Sequence, residues 1–452
     1  MRGTPADGLL VRLSGHSFLN SVAVVAGGSA AAQAIAIALS PILTRIFGPE
    51  LFGEYGVFMS VAAVMAAVSC LAYEHAVVLP ARQGDAVRLM RVSLAWALVT
   101  SLVALAVFLP FGVRIAPLVG LKEGSPYLLA IPFTMLFTGV AQAFDQWLVR
   151  NRQFGASSRI AVVQQLVANG LALIVGLLSP RALVLILGYA AGRLTQAAMG
   201  GWSSRSSLAQ ASGGADLLTA RPTPADREVL AAYKDFPLFR APQLLLSALA
   251  QGVPVVLLSA FFGPVAAGLY SIGRRVIMLP SAVVQQAVNK VFLQKLAAAA
   301  NEGQDVRRLI VKTTLGLAAV GVVPFGLVVV YGPTLFGWVF GAEWVRAGEY
   351  ARWLAVWAFF SFANGPSVMA VPVLSLQGQY LGFQAVTEAL RVGGMVLAAW
   401  LGSSDAAAVA WFAAIGTIAN LILIAAVFYH SSRRRRVDIA PASTSSRVDD
   451  AG

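Results

Sequence analysis

Apolar residues run in blocks of about twenty, separated by short polar stretches, from residue 18 almost to the C-terminus. Crossing a bilayer core takes roughly 20 mostly apolar helical residues. Blocks of that kind fall at 18–43, 51–79, 89–112, 126–149, 160–179, 182–201, 236–261, 265–293, 309–331, 350–372, 379–401 and 405–429. They predict an all-α integral membrane protein of about twelve spans. The first block runs apolar to Leu43, well past the roughly 7–15 residues of a signal-peptide core, so it is expected to remain as a helix.

Composition agrees. Of 452 residues 58% are hydrophobic and only 12% charged, and mean hydropathy is +0.75. A soluble chain is nearer to about 25% charged. The net charge of +13 would suggest nucleic acid in a soluble protein, but here the basic residues alternate between loops and no nucleic-acid partner is expected. With the N-terminus inside, 22 of the 33 Lys and Arg fall on cytoplasmic segments and six outside. Positive charge is retained on the cytoplasmic side, so both termini are expected there. Cys70 is the single cysteine, and His16, His75 and His430 share no ligand spacing, so neither a disulfide framework nor a metal site is predicted. There is no Walker motif, and no cofactor is expected.

A repeat lies at an offset of 215 residues. Phe47-Gly48-Pro49, Gly53 and Tyr55 align with Phe262-Gly263-Pro264, Gly268 and Tyr270. Each copy falls at the outer turn between the first two spans of its half, where Gly frees the turn and Pro suits a helix start. Two pseudo-symmetric six-helix bundles follow: an N-terminal half over 1–202, a cytoplasmic linker over 203–232 and a C-terminal half over 233–430. A basic, then disordered, tail follows over 431–452. Both halves enter from one side, which places the substrate path between them.

Four further fragments carry a resemblance. Leu43-Thr44-Arg45-Ile46-Phe47-Gly48-Pro49 is followed by Tyr73-Glu74-His75-Ala76-Val77-Val78-Leu79-Pro80. Asn151-Arg152-Gln153-Phe154 comes next, then Tyr233-Lys234-Asp235-Phe236-Pro237-Leu238 with Ala241-Pro242-Gln243 and Arg275-Val276-Ile277-Met278-Leu279-Pro280. In order and spacing these resemble the Wzx-like polysaccharide and O-antigen flippases of the multidrug/oligosaccharidyl-lipid/polysaccharide exporter superfamily. Leu71-Ala72 stand where that family usually has a basic residue before Tyr-Glu. The resemblance implies movement of a polyprenyl-diphosphate-linked oligosaccharide across a bacterial cytoplasmic (inner) membrane, for polysaccharide or lipopolysaccharide biosynthesis. It implies a polysaccharide polymerase as a possible partner, beside the membrane lipids. The alternative is an ion-coupled multidrug exporter of the same superfamily. A membrane glycosyltransferase is disfavoured because the longest outer loop expected, Gly332 to Glu349, carries few charges.

Ionisable residues inside spans are costly and mark pathways or partners. A diphosphate needs cationic donors, and the planar guanidinium suits phosphate. Arg240, Arg274, Arg275 and Arg391 are therefore the expected phosphate ligands. For Arg391 the alternative is an intrahelical pair with Glu388 at i, i+3. For Arg240 it is snorkelling to headgroups. Gln142, Asp145, Gln146 and Gln251 are candidate sugar ligands, or interhelical glue. Glu74 or Asp145 could exchange a proton or bind sodium for coupling. Pro242 and Pro254 predict a kinked, hinge-like span seven.

Overall fold

A computed structural model describes residues 5–123, 125–212, 224–278, 292, 295–296, 306–374 and 376–437. Among these the chain is helical throughout. Pro280, residues 213–223 of the linker and the tail from 438 lie outside the described residues.

Nine helices of the described residues are long and apolar enough to cross a membrane. One is the apolar stretch Ala30–Ala67 of α1 (Pro5–Ala67), broken at Gly48. At about 1.5 Å per residue its 38 residues would span nearly twice the roughly 30 Å core. It is two spans joined at a kink. Two more helices complete the set of about twelve. One is α13 (Gln377–Trp400), 24 residues long, which carries Gln384, Glu388 and Arg391 among its apolar residues. The other is α9, helical over 264–278, which begins the span expected at 265–293.

The remaining elements are α2 (Tyr73–Ala76), α3 (Gln83–Ile115), α4 (Ile131–Arg150), α5 (Phe154–Leu178), α6 (Ala182–Ser212) and α7 (Pro224–Ala232). They continue with α8 (Ala241–Phe262), α10 (Val306–Phe340), α11 (Val345–Ala363), α12 (Gly365–Val373) and α14 (Asp405–Val437). The outer loop expected at Gly332–Glu349 is mostly helical. Helix α10 carries on to Phe340, and a 3-10 turn at Ala342–Trp344 leads straight into α11. Pro333 lies within α10, so the Gly-Pro pair that reads as a loop start is absorbed into a long helix. Helix α12 is likewise a continuation of α11 past a break at Asn364.

The chain forms two compact units. One comprises Met1–Ser271 with Phe336–Trp344, the other Ile272–Leu335 with Val345–Gly452. In the first unit α1 packs on α5 and α8, and α4 and α5 both pack on α6. The two copies of the repeat meet here. Gly48 (φ 64, ψ 172) and Gly263 (φ 86, ψ 168) adopt the same conformation, in a region that only glycine enters freely. A methyl group on Gly53 would overlap the carbonyl of Pro264, and one on Gly268 would overlap the carbonyl of Pro49. These contacts are equivalent under the 215-residue offset. Gly56 lies against Ser271, its own counterpart at that offset. The two turns therefore cross about a local twofold, with backbones touching because both crossing positions lack a side chain.

A second contact at this end of the unit is aromatic. Trp344, 1% exposed, stacks edge-on against Phe52 at 5.6 Å and donates its indole N–H to the Thr44 carbonyl at 3.2 Å. Arg45 donates to the carbonyls of Trp338 and Val339. At the same end Lys122 bonds Glu50 at 2.9 Å and lies 3.6 Å from Glu54. The Glu50 hydrogen bond keeps the lysine protonated above its usual range.

In the second unit α14 packs on both α13 and α11. Gly348 of α11 meets the backbone of α10 at Gly332, and Arg346 holds both carboxylate oxygens of Asp405 at 2.7 Å. Asp405 also accepts from the Ala406 amide at the start of α14. Ser404 caps α14 by accepting from the Ala407 amide at 3.2 Å, and Asp405 beside it ties the helix to α11 through Arg346.

Candidate functional site

The second unit has an open cavity of about 160 Å³. Its walls come from α11, α12, α13 and α14. Trp357, Tyr380 and Phe383 supply aromatic surface, Gln384, Thr387 and Asn420 neutral polar groups, and Glu388 and Arg391 the charges.

Arg391 is the most constrained group in this wall. Its guanidinium carbon lies 4.4 Å from the Trp357 ring centre and 3.8 Å from that of Phe412. Cation–π contacts of this kind reach about 2 kcal/mol when desolvated. One terminal N–H donates to Glu388 at 2.9 Å, and Nε–H donates to the Phe412 carbonyl at 3.4 Å. Gly416 makes the arrangement possible. A methyl there would lie 2.7 Å from Trp357 Cδ1 and 3.0 Å from Arg391 Nε.

Two amides extend the wall. Asn420 donates from Nδ2 to the Gly416 carbonyl at 2.8 Å, and its Oδ1 accepts from Asn364 Nδ2 at 2.8 Å. A backbone carbonyl can only accept, so this chain fixes both amide orientations and leaves Asn364 Oδ1 pointing away from the pair. Asn364 Oδ1 and Glu388 Oε2 are both buried with no hydrogen-bond partner among the described residues. A buried acceptor left without a partner costs about 1–3 kcal/mol.

Of the expected substrate ligands, Arg391 alone lines this cavity. The i, i+3 pair with Glu388 is formed. Arg240 is exposed in the π-helical turn Phe236–Arg240, and it donates to Gln243 at 2.8 Å. Arg274 is half-buried and Arg275 exposed on α9. On α4 Gln142 is exposed, while Asp145 and Gln146 are half-buried, and Asp145 accepts from Ser157 of α5. Gln251 is exposed on α8 and bonds its own helix at Ser247. In span seven, Pro242 follows directly on the π-helical turn Phe236–Arg240, and Pro254 is buried within α8.

Glu74 lies in the first unit, buried on the single-turn helix α2. Leu71 (φ 50) and Ala72 (φ 62) precede it in the left-handed region, a conformation costly for residues with a β-carbon. Arg150 holds the far end of this turn by donating to the carbonyls of Val77 and Val78 at 3.2 Å. Glu74 Oε2 is buried without a hydrogen bond, and the charge of Arg240 acts on the carboxylate.

Sequence reasoning missed Trp357, Phe412, Gly416, Asn364 and Asn420. The asparagines are polar residues within apolar blocks, which is a signal. Nothing in the linear sequence pairs them or places a tryptophan over Arg391.

Residues 42–349 match the model of a family described as polysaccharide biosynthesis protein. The chain belongs to that family. In this polysaccharide biosynthesis protein the match includes both copies of the repeat and ends ahead of the Arg391 cavity. No curated protein matches the chain in sequence. Solved structures share its fold. An inward-facing multidrug resistance MATE family transporter of the MOP superfamily superposes with a TM-score of 0.56 at 12% identity, covering 91% of this chain and 94% of that one. A MOP superfamily transporter from Pyrococcus furiosus gives 0.53 at 10%, covering 92% and 96%. A eukaryotic MATE transporter gives 0.51 at 12%, covering 93% and 98%. The protein is a multi-pass membrane protein with the MOP transporter fold.

Proposed function

We propose that this polysaccharide biosynthesis protein is a flippase. It moves a polyprenyl-diphosphate-linked oligosaccharide from the inner to the outer leaflet of a bacterial cytoplasmic membrane by alternating access, without catalysing a reaction. The observation that carries the reading is the cavity around Arg391. A polar cavity is expensive inside a helical bundle rich in apolar residues, and aromatic faces mixed with amides suit a glycan better than a hydrocarbon. The family points the same way. The MOP fold by itself accommodates a multidrug exporter equally well, so the substrate must be tested directly.

Both termini are cytoplasmic in this reading, from the distribution of Lys and Arg. The 1–202 and 233–430 halves are the moving parts in this reading, and Arg240, Arg274 and Arg275 are each candidate contacts for the diphosphate. Glu74 and Asp145 are the carboxylates for a coupling proton or sodium ion.

The test is to reconstitute the purified protein into vesicles carrying polyprenyl-diphosphate N-acetylglucosamine and follow its exposure on the opposite leaflet. A rate above that of protein-free vesicles is expected, with no efflux of a cationic dye from the same preparation. Dye efflux without lipid movement would replace the flippase by the exporter. In cells, loss of the gene should leave lipid-linked sugar on the inner leaflet.

A further inference from the structure

Helix α6 carries an arginine deep in its apolar stretch. The exposed residues Leu183, Leu187, Leu194 and Trp202 recur along one face of the helix, and Tyr189, Arg193 and Gln196 share the opposite face at i, i+4 and i+7. Tyr189 meets the fully buried Phe58 of α1 edge-on, with ring centres 6.4 Å apart, so this face looks into the first unit and away from lipid. Helix α6 begins at Ala182, which puts Arg193 about 16 Å along its axis. That is half of the roughly 30 Å core, too deep for the side chain to snorkel to either headgroup layer.

The half-buried guanidinium lies 5.1 Å from the Tyr189 ring centre. Its Nε–H donates to the Tyr189 hydroxyl at 3.2 Å and Nη1 to Gln196 Oε1 at 2.9 Å. Both partners are neutral and belong to the same helix. Among the described residues Nη2 makes no hydrogen bond and no carboxylate pairs with the group. The in-span acids of this unit are engaged elsewhere, Glu54 beside Lys122 and Asp145 accepting from Ser157. On α5, Gln164 adds an amide at the same level: a methyl on Gly192 would lie 3.1 Å from its side-chain nitrogen. A charge held at this depth without a counter-ion is expensive, and a guanidinium fixed by two of its nitrogens keeps the third for an acceptor from outside.

We propose that Arg193 is a ligand of the substrate's diphosphate, giving Nη2 to a phosphate oxygen while Tyr189 and Gln196 hold the guanidinium in place and Gln164 stands by as a neutral donor. The proposal rests on the flippase reading. It adds a mid-depth contact inside the first unit to the candidates at Arg240, Arg274 and Arg275.

Titration calorimetry of farnesyl diphosphate and of farnesol on the full-length protein in nanodiscs tests it. The unaltered protein should prefer the diphosphate. Arg193→Gln should weaken farnesyl diphosphate at least about tenfold, the scale of one charge-assisted hydrogen bond, and leave farnesol unchanged. Arg193→Lys keeps the charge and loses the fork, so a loss of about threefold is expected. Arg114→Gln removes an equal charge from the exposed end of α3 and should bind as the unaltered protein does. Unchanged diphosphate affinity in Arg193→Gln overturns the proposal and leaves the flippase reading standing. An equal loss of diphosphate and farnesol, or an equal loss in Arg114→Gln, does the same. A diphosphate bound no better than farnesol by the unaltered protein overturns both readings. Where a variant does not fold, arginine modification by phenylglyoxal on the unaltered protein decides. Saturating farnesyl diphosphate should slow modification of Arg193 at least about threefold by mass spectrometry, and equal modification with and without it overturns the proposal.

Discussion

The crossing of the two repeat turns gives the sharpest test of the fold. Replacing Gly53 by Ala sets a methyl carbon 2.5 Å from the carbonyl carbon of Pro264 and 3.0 Å from its Cα. Carbon atoms settle at about 3.5–4.0 Å, so the backbones must part by roughly 1 Å or more. The obstacle is main chain, which has no rotamer to change. Overpacking of this kind costs about 1–3 kcal/mol, partly offset by the roughly 0.5–1 kcal/mol that Ala gains over Gly in a helix. Gly268→Ala meets the same obstacle from the other side, with Gly53 N at 2.9 Å and the Pro49 carbonyl carbon at 3.0 Å. Gly316 has open space around it and serves as the control. Unfolding free energies in mixed micelles should fall for Gly53→Ala and Gly268→Ala and hold or rise for Gly316→Ala. The double variant should lose less than the sum, because one methyl already opens the gap the other needs. A Gly53→Ala protein as stable as the Gly316→Ala control would refute the reasoning, and with it the crossing of the repeats.

Other positions yield simpler expectations. Gly416→Ala should displace Trp357 and Arg391 together, lowering transport at least tenfold if about 1.4 kcal/mol of positioning is lost, as read by the vesicle assay. Arg391→Lys keeps the charge but cannot span two rings and a carboxylate, so a stability loss of about 2–4 kcal/mol is expected on thermal unfolding. Arg150→Met leaves the Val77 and Val78 carbonyls without their donor. It should cost about 1–2 kcal/mol and raise hydrogen exchange across residues 71–80.

The sequence alone settled the class of protein, because a bilayer imposes a length and an apolarity that can be counted without coordinates. It also revealed the repeat, since Gly and Pro at an outer turn leave a local signature. The chain's helices nevertheless run further than the apolar blocks. Pro333 sits inside α10, which continues helical to Phe340. Arg391 and Glu388 were legible as a pair because i, i+3 spacing fixes proximity on one helix. Their environment was not. Trp357, Phe412 and Gly416 come from α11 and α14, and only packing brings those helices to α13. The reciprocal meeting of Gly53 with Pro264 and Gly268 with Pro49 is of the same kind. An offset of 215 residues shows that two turns are alike, and only the folded chain shows that they touch.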